Sequence, residues 1–357
     1  MASDPPRDTS GPVGAAEQLR HYLEVAAPLA EWIAGTQALA VLEAATTSGL
    51  LDAAREPVTP EALAAVTGRD PERVRLLCVA LDAHGVFERD GSCYRLSEFG
   101  RTLADPGAPL ALSARLTGTR ATVRRLARVV DVDPTRPVAA PPDALALMQS
   151  VGVSPLSPLS RATVDYLRQV LPELAERWAD TARHLELGCG VGNDLLTVVT
   201  GFPRVTAVGV EIDPPTAAEA RRRAHGLGVA DRVEVRCTDA ADLVEEAAFD
   251  TAQWSQAFFR QERRQDAVRA LHRVLRPDGL LYVPVVEPPP EESEELHSRR
   301  GRLDAIRQLL LASWGVPRHS VDEATRELTD AGFQVLRHVP VPRGLHLSRT
   351  LVVARRP

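Results

Sequence analysis

The sequence predicts an α/β protein, a doubly wound sheet of seven strands preceded by a smaller, mostly helical domain. Three features point there. From Arg183 onward, apolar runs of strand length alternate with helix-length segments, as in a mainly parallel sheet wrapped by helices. The first of those runs leads into Gly188-x-Gly190-x-Gly192 and then a helix signal, the tight strand-to-helix turn of such folds. Before residue 105 the helix signals instead follow one another and end on a hairpin signal, Asp90-Gly91. A length of 357 residues also favours two domains over one.

Residues 1–16, with Pro5, Pro6, Gly11 and Pro12 and no apolar h-region, read as a disordered tail rather than a signal peptide. From Pro28 to Leu51 the spacing of Leu29, Trp32, Ile33, Leu39, Leu42 and Leu50 predicts a long, largely buried helix. Thr59-Pro60-Glu61 supplies an N-cap with proline at the first helical position, opening a short helix that Gly68 ends. Asp70-Pro71-Glu72 repeats the signal, and its helix runs through Leu76, Leu77 and Leu81 to Gly85. Val86–Arg89 and Ser92–Leu96 then flank Asp90-Gly91 as a hairpin. Helix, short helix, turn, helix, hairpin is the layout of a winged helix, here residues 17–105. Residues 106–180 read as a helical linker and substrate cap, broken by proline-rich stretches at Pro134 to Pro142 and Ser154 to Pro158.

Within residues 181–357 the expected strands are His184–Leu187, Val205–Ile212, Val233–Cys237, Thr251–Ser255, Leu280–Val286, Phe333–Val339 and Thr350–Ala354. Expected helices include Ala217–Leu227, Glu262–Leu275 and Glu292–Ser313. A last one opens at the capping box Ser320-x-x-Glu323 and stops at Gly332. The final two strands are joined by a short loop, which predicts an antiparallel hairpin at one edge of the sheet.

Composition narrows the function. The formal net charge is -6, the wrong sign for a protein built to grip phosphate backbones. Between Thr59 and Asp105 eight acids face six arginines, so the winged helix has a net charge of -2 where a groove reader would be basic. Its apolar helix, with Val74, Leu76, Leu77, Cys78, Val79 and Leu81, suits burial against a partner subunit, and a homodimer without nucleic acid is expected. All 42 basic residues are arginine, which removes lysine nucleophiles and Schiff bases. Cys78, Cys93, Cys189 and Cys237 have neither C-x-x-C spacing nor a nearby ligand set, so no metal is expected. No stretch approaches the roughly 20 apolar residues that a membrane span requires. The expectation is a soluble, cytoplasmic protein.

The most informative stretch is His184-Leu-Glu-Leu-Gly-Cys-Gly-Val-Gly-Asn193. A dinucleotide loop, G-x-G-x-x-G, would need glycine where Asn193 stands, and the Gly-Lys-Ser/Thr ending of a phosphate loop is missing. Glu211 ends the second strand and is placed to accept hydrogen bonds from both hydroxyls of a ribose. Asp239 ends the third strand, where an adenine amino group can be met. Phe249-Asp250 opens the fourth strand, and Arg276-Pro277-Asp278-Gly279 turns into the fifth.

Glu186 to Gly192, Glu211, Asp239 and Arg276 to Gly279 together resemble the ordered motifs of class I S-adenosylmethionine-dependent methyltransferases, which have a Rossmann-like sheet. The front end resembles the dimerising winged-helix domain of small-molecule O-methyltransferases of plant and bacterial secondary metabolism, a group that includes antibiotic biosynthesis. The resemblance implies S-adenosylmethionine as cofactor. It implies methionine-moiety contacts from Gly188, Gly190 and Gly192, ribose binding by Glu211, adenine contacts from Asp239, and further cofactor contacts from Glu186, Ile212, Ala240 and Ser255.

Trp254, Phe258, Phe259, Trp314 and Met148 are candidates for the acceptor pocket. The plant-type enzymes carry a histidine base just past the fourth strand; here the segment reads Trp254-Ser-Gln-Ala-Phe-Phe-Arg260. His297 and Gln256 stand in as candidate catalytic residues, the first as a base from the expected lid, the second to orient the acceptor. Methyl transfer to oxygen, nitrogen or carbon stays open. So do a non-methylating reaction on the same scaffold and a cofactor-sensing winged-helix regulator.

Overall fold

The computed structural model describes residues 12–108, 110–131, 143–341 and 350–357. The stretch from Pro134 to Pro142, expected as a linker, falls outside the described residues, as does most of the expected N-terminal tail. The chain divides into two compact units, one ending at Ala104 and the other beginning at Asp105.

Among the described residues the first unit opens with a helix over Pro12–Thr47, so Pro28 lies inside it rather than at its start, and residues 12–16, expected in the tail, are helical. The helix is not buried: Leu19, Tyr22, Leu23, Leu29, Trp32 and Ile33 are each half exposed or more. Apolar periodicity says that a helix needs covering, not which surface covers it. Over Ala16–Thr47 it is also long and apolar enough to cross a membrane by length and composition, contrary to the expectation of no such stretch. Alanines between isolated charges keep the average high where no unbroken apolar run exists. Only its C-terminal end, at Ala45, joins Leu50, Leu63, Cys78, Leu81 and Leu96 in a buried core.

The two caps form as expected. Thr59 Oγ1 accepts from Ala62 N at 3.2 Å ahead of helix Pro60–Thr67, and Asp70 Oδ1 accepts from Arg73 N at 2.9 Å ahead of helix Pro71–Ala83. Strands β1 (Phe87–Asp90) and β2 (Cys93–Leu96) follow as an antiparallel hairpin. Asp90 pairs with Cys93, so the turn is Gly91-Ser92, one residue past the expected pair, with φ +61° at Gly91.

The second unit holds β3 (Ala182–Leu187), β4 (Val205–Glu211), β5 (Val233–Cys237), β6 (Phe249–Trp254), β7 (Leu275–Val285), β8 (Gln334–Pro340) and β9 (Thr350–Arg355). They form one sheet in the order β5-β4-β3-β6-β7-β9-β8. Strands β3 to β7 pair in parallel; β9 runs antiparallel to both neighbours. The expected edge hairpin is therefore β8 with β9, its reversed strand lying inside the edge. Winding reverses at β3 and β6, and a crevice opens beyond their carboxyl ends. Each face of the sheet has its own apolar layer, one around Trp178, Leu195 and Val198, the other around Phe249, Trp254 and Leu271.

One departure concerns the segment after β7. The expected helix Glu292–Ser313 is two helices, Ser293–His297 and Arg299–Ala312. Ser298 breaks it by taking an extended conformation and capping the second helix, its Oγ accepting from Gly301 N at 3.0 Å. The capping box is present, with Glu323 N donating to Ser320 Oγ at 3.2 Å and Ser320 N donating to Glu323 Oε2 at 2.7 Å.

At the centre of the first layer, Trp178 Nε1 donates to Thr251 Oγ1 at 2.9 Å, and His184 Nδ1 lies 2.8 Å from the same hydroxyl. Burial pushes the His184 imidazole down from 6.5 to about 3. An unfolded chain takes up this proton below pH 6.5 while the folded one refuses it until about pH 3, so stability is held above pH 6.5 and lost as the pH falls through that window. Urea titrations between pH 7 and 4.5 should show His184→Leu losing less stability than the parent over the same interval.

Candidate cofactor and acceptor site

The site is built on the turn after β3. Gly188, Gly190 and Gly192 adopt φ of +74°, +55° and +80°, a region other residues enter only under strain. Gly188 N and Cys189 N both donate to Val210 O, at 2.9 and 3.0 Å, which folds the turn back onto the end of β4. Gly190 N donates to Glu211 Oε2 at 3.0 Å, and Asp213 N to Glu211 Oε1 at 2.9 Å. A Cβ on Gly188 would stand 3.0 Å from the Phe259 ring, so the turn approaches the loop after β6 as closely as glycine permits. Gly192 faces inward, against Leu196 and Ala220, and starts helix Asn193–Gly201.

Acidic groups gather here. Glu186 is 2% exposed, and its Oε2 has no hydrogen-bond partner among the described residues. Burial pushes its carboxyl well above the usual carboxylate range, and Asp194 and Glu211 push it the same way. Burial also raises Glu211, against the amide bonds of Asp213 and Gly190. Asp239 Oδ1 accepts from Ala241 N at 3.0 Å, capping the short turn Ala240–Asp242, and its Oδ2 lies 3.6 Å from Arg263 Nε.

Polar residues not assigned to the site from the sequence complete this end. Gln253 stands beside Glu186 in the β3–β6 register, donates to Asp194 Oδ2 at 2.9 Å, and accepts from the Tyr282 hydroxyl. Asn193 donates to Val151 O at 2.8 Å and accepts from Arg223 at 2.7 Å, tying the turn to the segment before the sheet. Strand alternation was the available signal: residues two apart share a face, so Gln253 and Ser255 go with the cavity, and Trp254 with the opposite layer.

A cavity of about 1360 Å³ opens over these groups. It is lined by Glu186, Gly188, Gly190, Glu211, Ile212, Asp239, Ala240 and Ser255, and by Met148, Phe258, Phe259 and Trp314. Three assignments are corrected. Trp254 is 1% exposed, packs edge-on against Phe259 and lies under the Arg264 guanidinium, 4.9 Å from its centroid; it belongs to the core. Gln256 is buried and lines no part of the cavity, its side chain donating to Pro284 O at 3.2 Å and its carbonyl accepting from Arg264 at 2.8 Å. His297 is exposed at the end of its short helix, Nδ1 2.6 Å from Ser293 O, and lines no part of the cavity, because the break at Ser298 redirects that segment. Among the described residues no histidine lines the cavity and no group is arranged to hold a metal.

The facing wall comes from two helices, Leu112–Leu126 and Arg299–Ala312, which pack together. Arg125 joins them, donating to Ser313 Oγ at 2.8 Å and Ser313 O at 2.7 Å.

Comparison with known proteins agrees with this geometry. A family described as a methyltransferase domain matches residues 185–279. Demethylmenaquinone methyltransferase of Thermus thermophilus is 34% identical over 112 residues, covering 30% of this chain and 49% of that protein. The chain thus spans about half the length of the curated relative it matches. The solved structure of mitomycin 7-O-methyltransferase superposes with a TM-score of 0.69 at 20% identity, covering 95% of this chain and all of the other. That of N,N-8-amino-8-demethyl-D-riboflavin dimethyltransferase from Streptomyces davawensis gives 0.62 at 20%, covering 93% and 99%. At this identity the likeness is one of fold.

The crowding at the turn is directly testable. Gly188→Ala should combine a strained φ with a clash against Phe259, costing the turn about 1–2 kcal/mol. Calorimetry with S-adenosylhomocysteine should then show at least tenfold weaker binding, with thermal unfolding still cooperative.

Proposed function

We propose, on the premise that the chain belongs to the class I S-adenosylmethionine-dependent methyltransferases, that it methylates a small molecule of the secondary-metabolite kind. The observation that carries this is the glycine turn locked to Glu211 beneath a cavity of 1360 Å³, more than the roughly 300–1,000 Å³ of a single small-molecule site. The space suits a cofactor and an acceptor together. The residues fit the cofactor: an orphaned Glu186 oxygen, a backbone a side chain would block at Gly188, and a carboxylate already oriented at Glu211.

When bound, S-adenosylmethionine supplies a methyl group carried on a sulfonium. Gly188 and Gly190 let the backbone come close to the methionine part, Glu211 offers its carboxylate to the ribose hydroxyls, and Asp239 and Ala240 border the base. Phe258, Met148 and Trp314 exclude water and set the acceptor's plane. With no histidine among the described lining residues, alignment and desolvation carry the reaction. The neighbours named for an oxygen and for a nitrogen acceptor share this fold, so either atom is compatible with it.

The exposed apolar face of Pro12–Thr47 supports a homodimer in which a second copy covers Leu19, Tyr22, Leu29 and Trp32. A cytoplasmic placement belongs to the same reading, since that face then needs no membrane. Glu211→Ala should lower the affinity for S-adenosylhomocysteine by about 1.5–3 kcal/mol, roughly ten- to a hundredfold, because the acceptor is charged. An unchanged affinity overturns the cofactor assignment. Light scattering at micromolar concentration, without detergent, should report about twice the 38.6 kDa chain mass. A monomer, or a protein soluble only in detergent, contradicts the dimer.

A further inference from the structure

The acids at the strand end of the cavity have no cation paired with them. Glu186, Asp194 and Glu211 line that end, and none makes an ion pair among the described residues. Of the arginines that line the same cavity, Arg260 pairs with Glu262 at 2.8 Å, Arg263 with Asp239 at 3.6 Å, and Arg300 and Arg307 with Asp304, while Arg115 stands on the facing helix Leu112–Leu126. Asp194 lies in the first turn of helix Asn193–Gly201, where the backbone dipoles favour a negative charge. Its Oδ2 accepts from Gln253 Nε2 at 2.9 Å, and Gln253 Oε1 accepts in turn from the Tyr282 hydroxyl. Both donors are neutral, so the carboxylate is oriented while its charge is left uncancelled.

Three neighbours register that charge. Burial raises the Glu186 carboxyl, and Asp194 and Glu211 raise it further, against the Leu195 amide. Burial likewise raises the Tyr282 hydroxyl, with Asp194 and Glu186 adding to it. The Cys189 thiol goes up by burial, then by Glu186 and Glu211, with its own backbone bond and Arg221 opposing. His184, two residues back on β3 and stacked on Tyr282, stays neutral above about pH 3. The floor is also dry, with Glu186 and Gln253 only 2% and 0% exposed.

A sulfonium has neither N–H nor O–H, so no hydrogen bond that it donates can tell it from the thioether left after transfer. Charge can, and unit charges attract several times more strongly in a water-poor site than in water. Glu186, with an orphaned oxygen and two acids beside it, is neutral in the free protein, and a nearby cation favours its ionised form.

We propose that the Glu186–Asp194 floor selects the sulfonium-bearing cofactor over its demethylated product, with Gln253 as the positioning residue that holds Asp194. Asp194 supplies its charge throughout, and Glu186 gives up its proton to the solvent as the cation arrives. Resting on the methyl-transfer reading, this selectivity gives the site a direction: product leaves more readily than cofactor.

The test titrates the full chain calorimetrically with two ligands of nearly equal shape. One is S-adenosylmethionine; the other is the sulfoxide of S-adenosylhomocysteine, with an oxygen where the methyl group stands and no net charge at sulfur. S-adenosylmethionine should bind about tenfold more tightly or better. Repeating the titrations in phosphate and in Tris, whose heats of ionisation differ, should show more protons released with S-adenosylmethionine than with the sulfoxide. Asp194→Asn and Gln253→Met should each narrow the preference while leaving sulfoxide binding unchanged, and Glu186→Gln should erase the extra proton. A purely structural role for these side chains would weaken both ligands together. Thermal unfolding shows whether each variant folds. Should one fail, the parent protein still decides, because its preference should widen between pH 6 and pH 8 as the Glu186 proton leaves more easily. Equal binding of the two ligands, equal proton release, a preference flat with pH, or one that survives in the variants overturns the proposal. Failure of the parent protein to bind either ligand overturns the methyl-transfer reading instead.

Discussion

The amides of the Gly188–Gly190 turn find their acceptors at the end of one neighbouring strand, and the site is organised by that fact. Gly188 and Cys189 share the Val210 carbonyl, and Gly190 reaches the Glu211 carboxylate. The arrangement requires β4 to be bare where the turn lies on it: a Cβ at Gly209 would stand 2.7 Å from Leu195 and 2.8 Å from Cys189. Unpaired buried amides are costly, so the turn cannot lift away without losing these bonds. Glu211 consequently has two duties, bracing the turn and presenting a carboxylate to a ligand. A ligand therefore meets a carboxylate whose direction is already set, which lowers the ordering cost of binding.

A second brace acts at the other rim. Arg264, 1% exposed at its side chain, pairs with Glu327 at 2.9 and 2.6 Å, reaches the Gln256 carbonyl, and lies over Trp254. It pins the start of the loop that carries Phe258 and Phe259. A buried guanidinium is tolerated because carboxylate, carbonyl and ring face together occupy its donors and its plane.

What was legible in the sequence followed from local chemistry. Thr59, Asp70 and Ser320 announce their helices because a cap needs only residues within one turn, and the glycine turn announces itself because few residue types tolerate its backbone. Orientation was less legible. Its place beside the loop suggests Trp254 for the pocket, whereas alternation along β6 puts it on the face opposite Gln253; the type of Gln256 suggests a binding role, but a short turn sets where its amide goes. His297 failed because an ordinary serine, Ser298, ends a helix that periodicity would continue. Exposure of the long first helix was illegible in principle, since an apolar stripe has the same sequence whether its cover lies inside the chain or outside it.

The division of the cavity between sheet and helices also bears on ancestry. The glycine turn and Glu211 are braced against the sheet, so a change there disturbs backbone bonds as well as binding. The opposite wall hangs on two helices whose cavity-facing side chains, Arg115, Thr119, Thr122, Arg300 and Arg307, contribute no strand pairing. Substitutions at Arg115, Thr119 and Thr122 break no strand pairing, and descendants of such a chain can change the acceptor wall there while the glycine turn stays fixed.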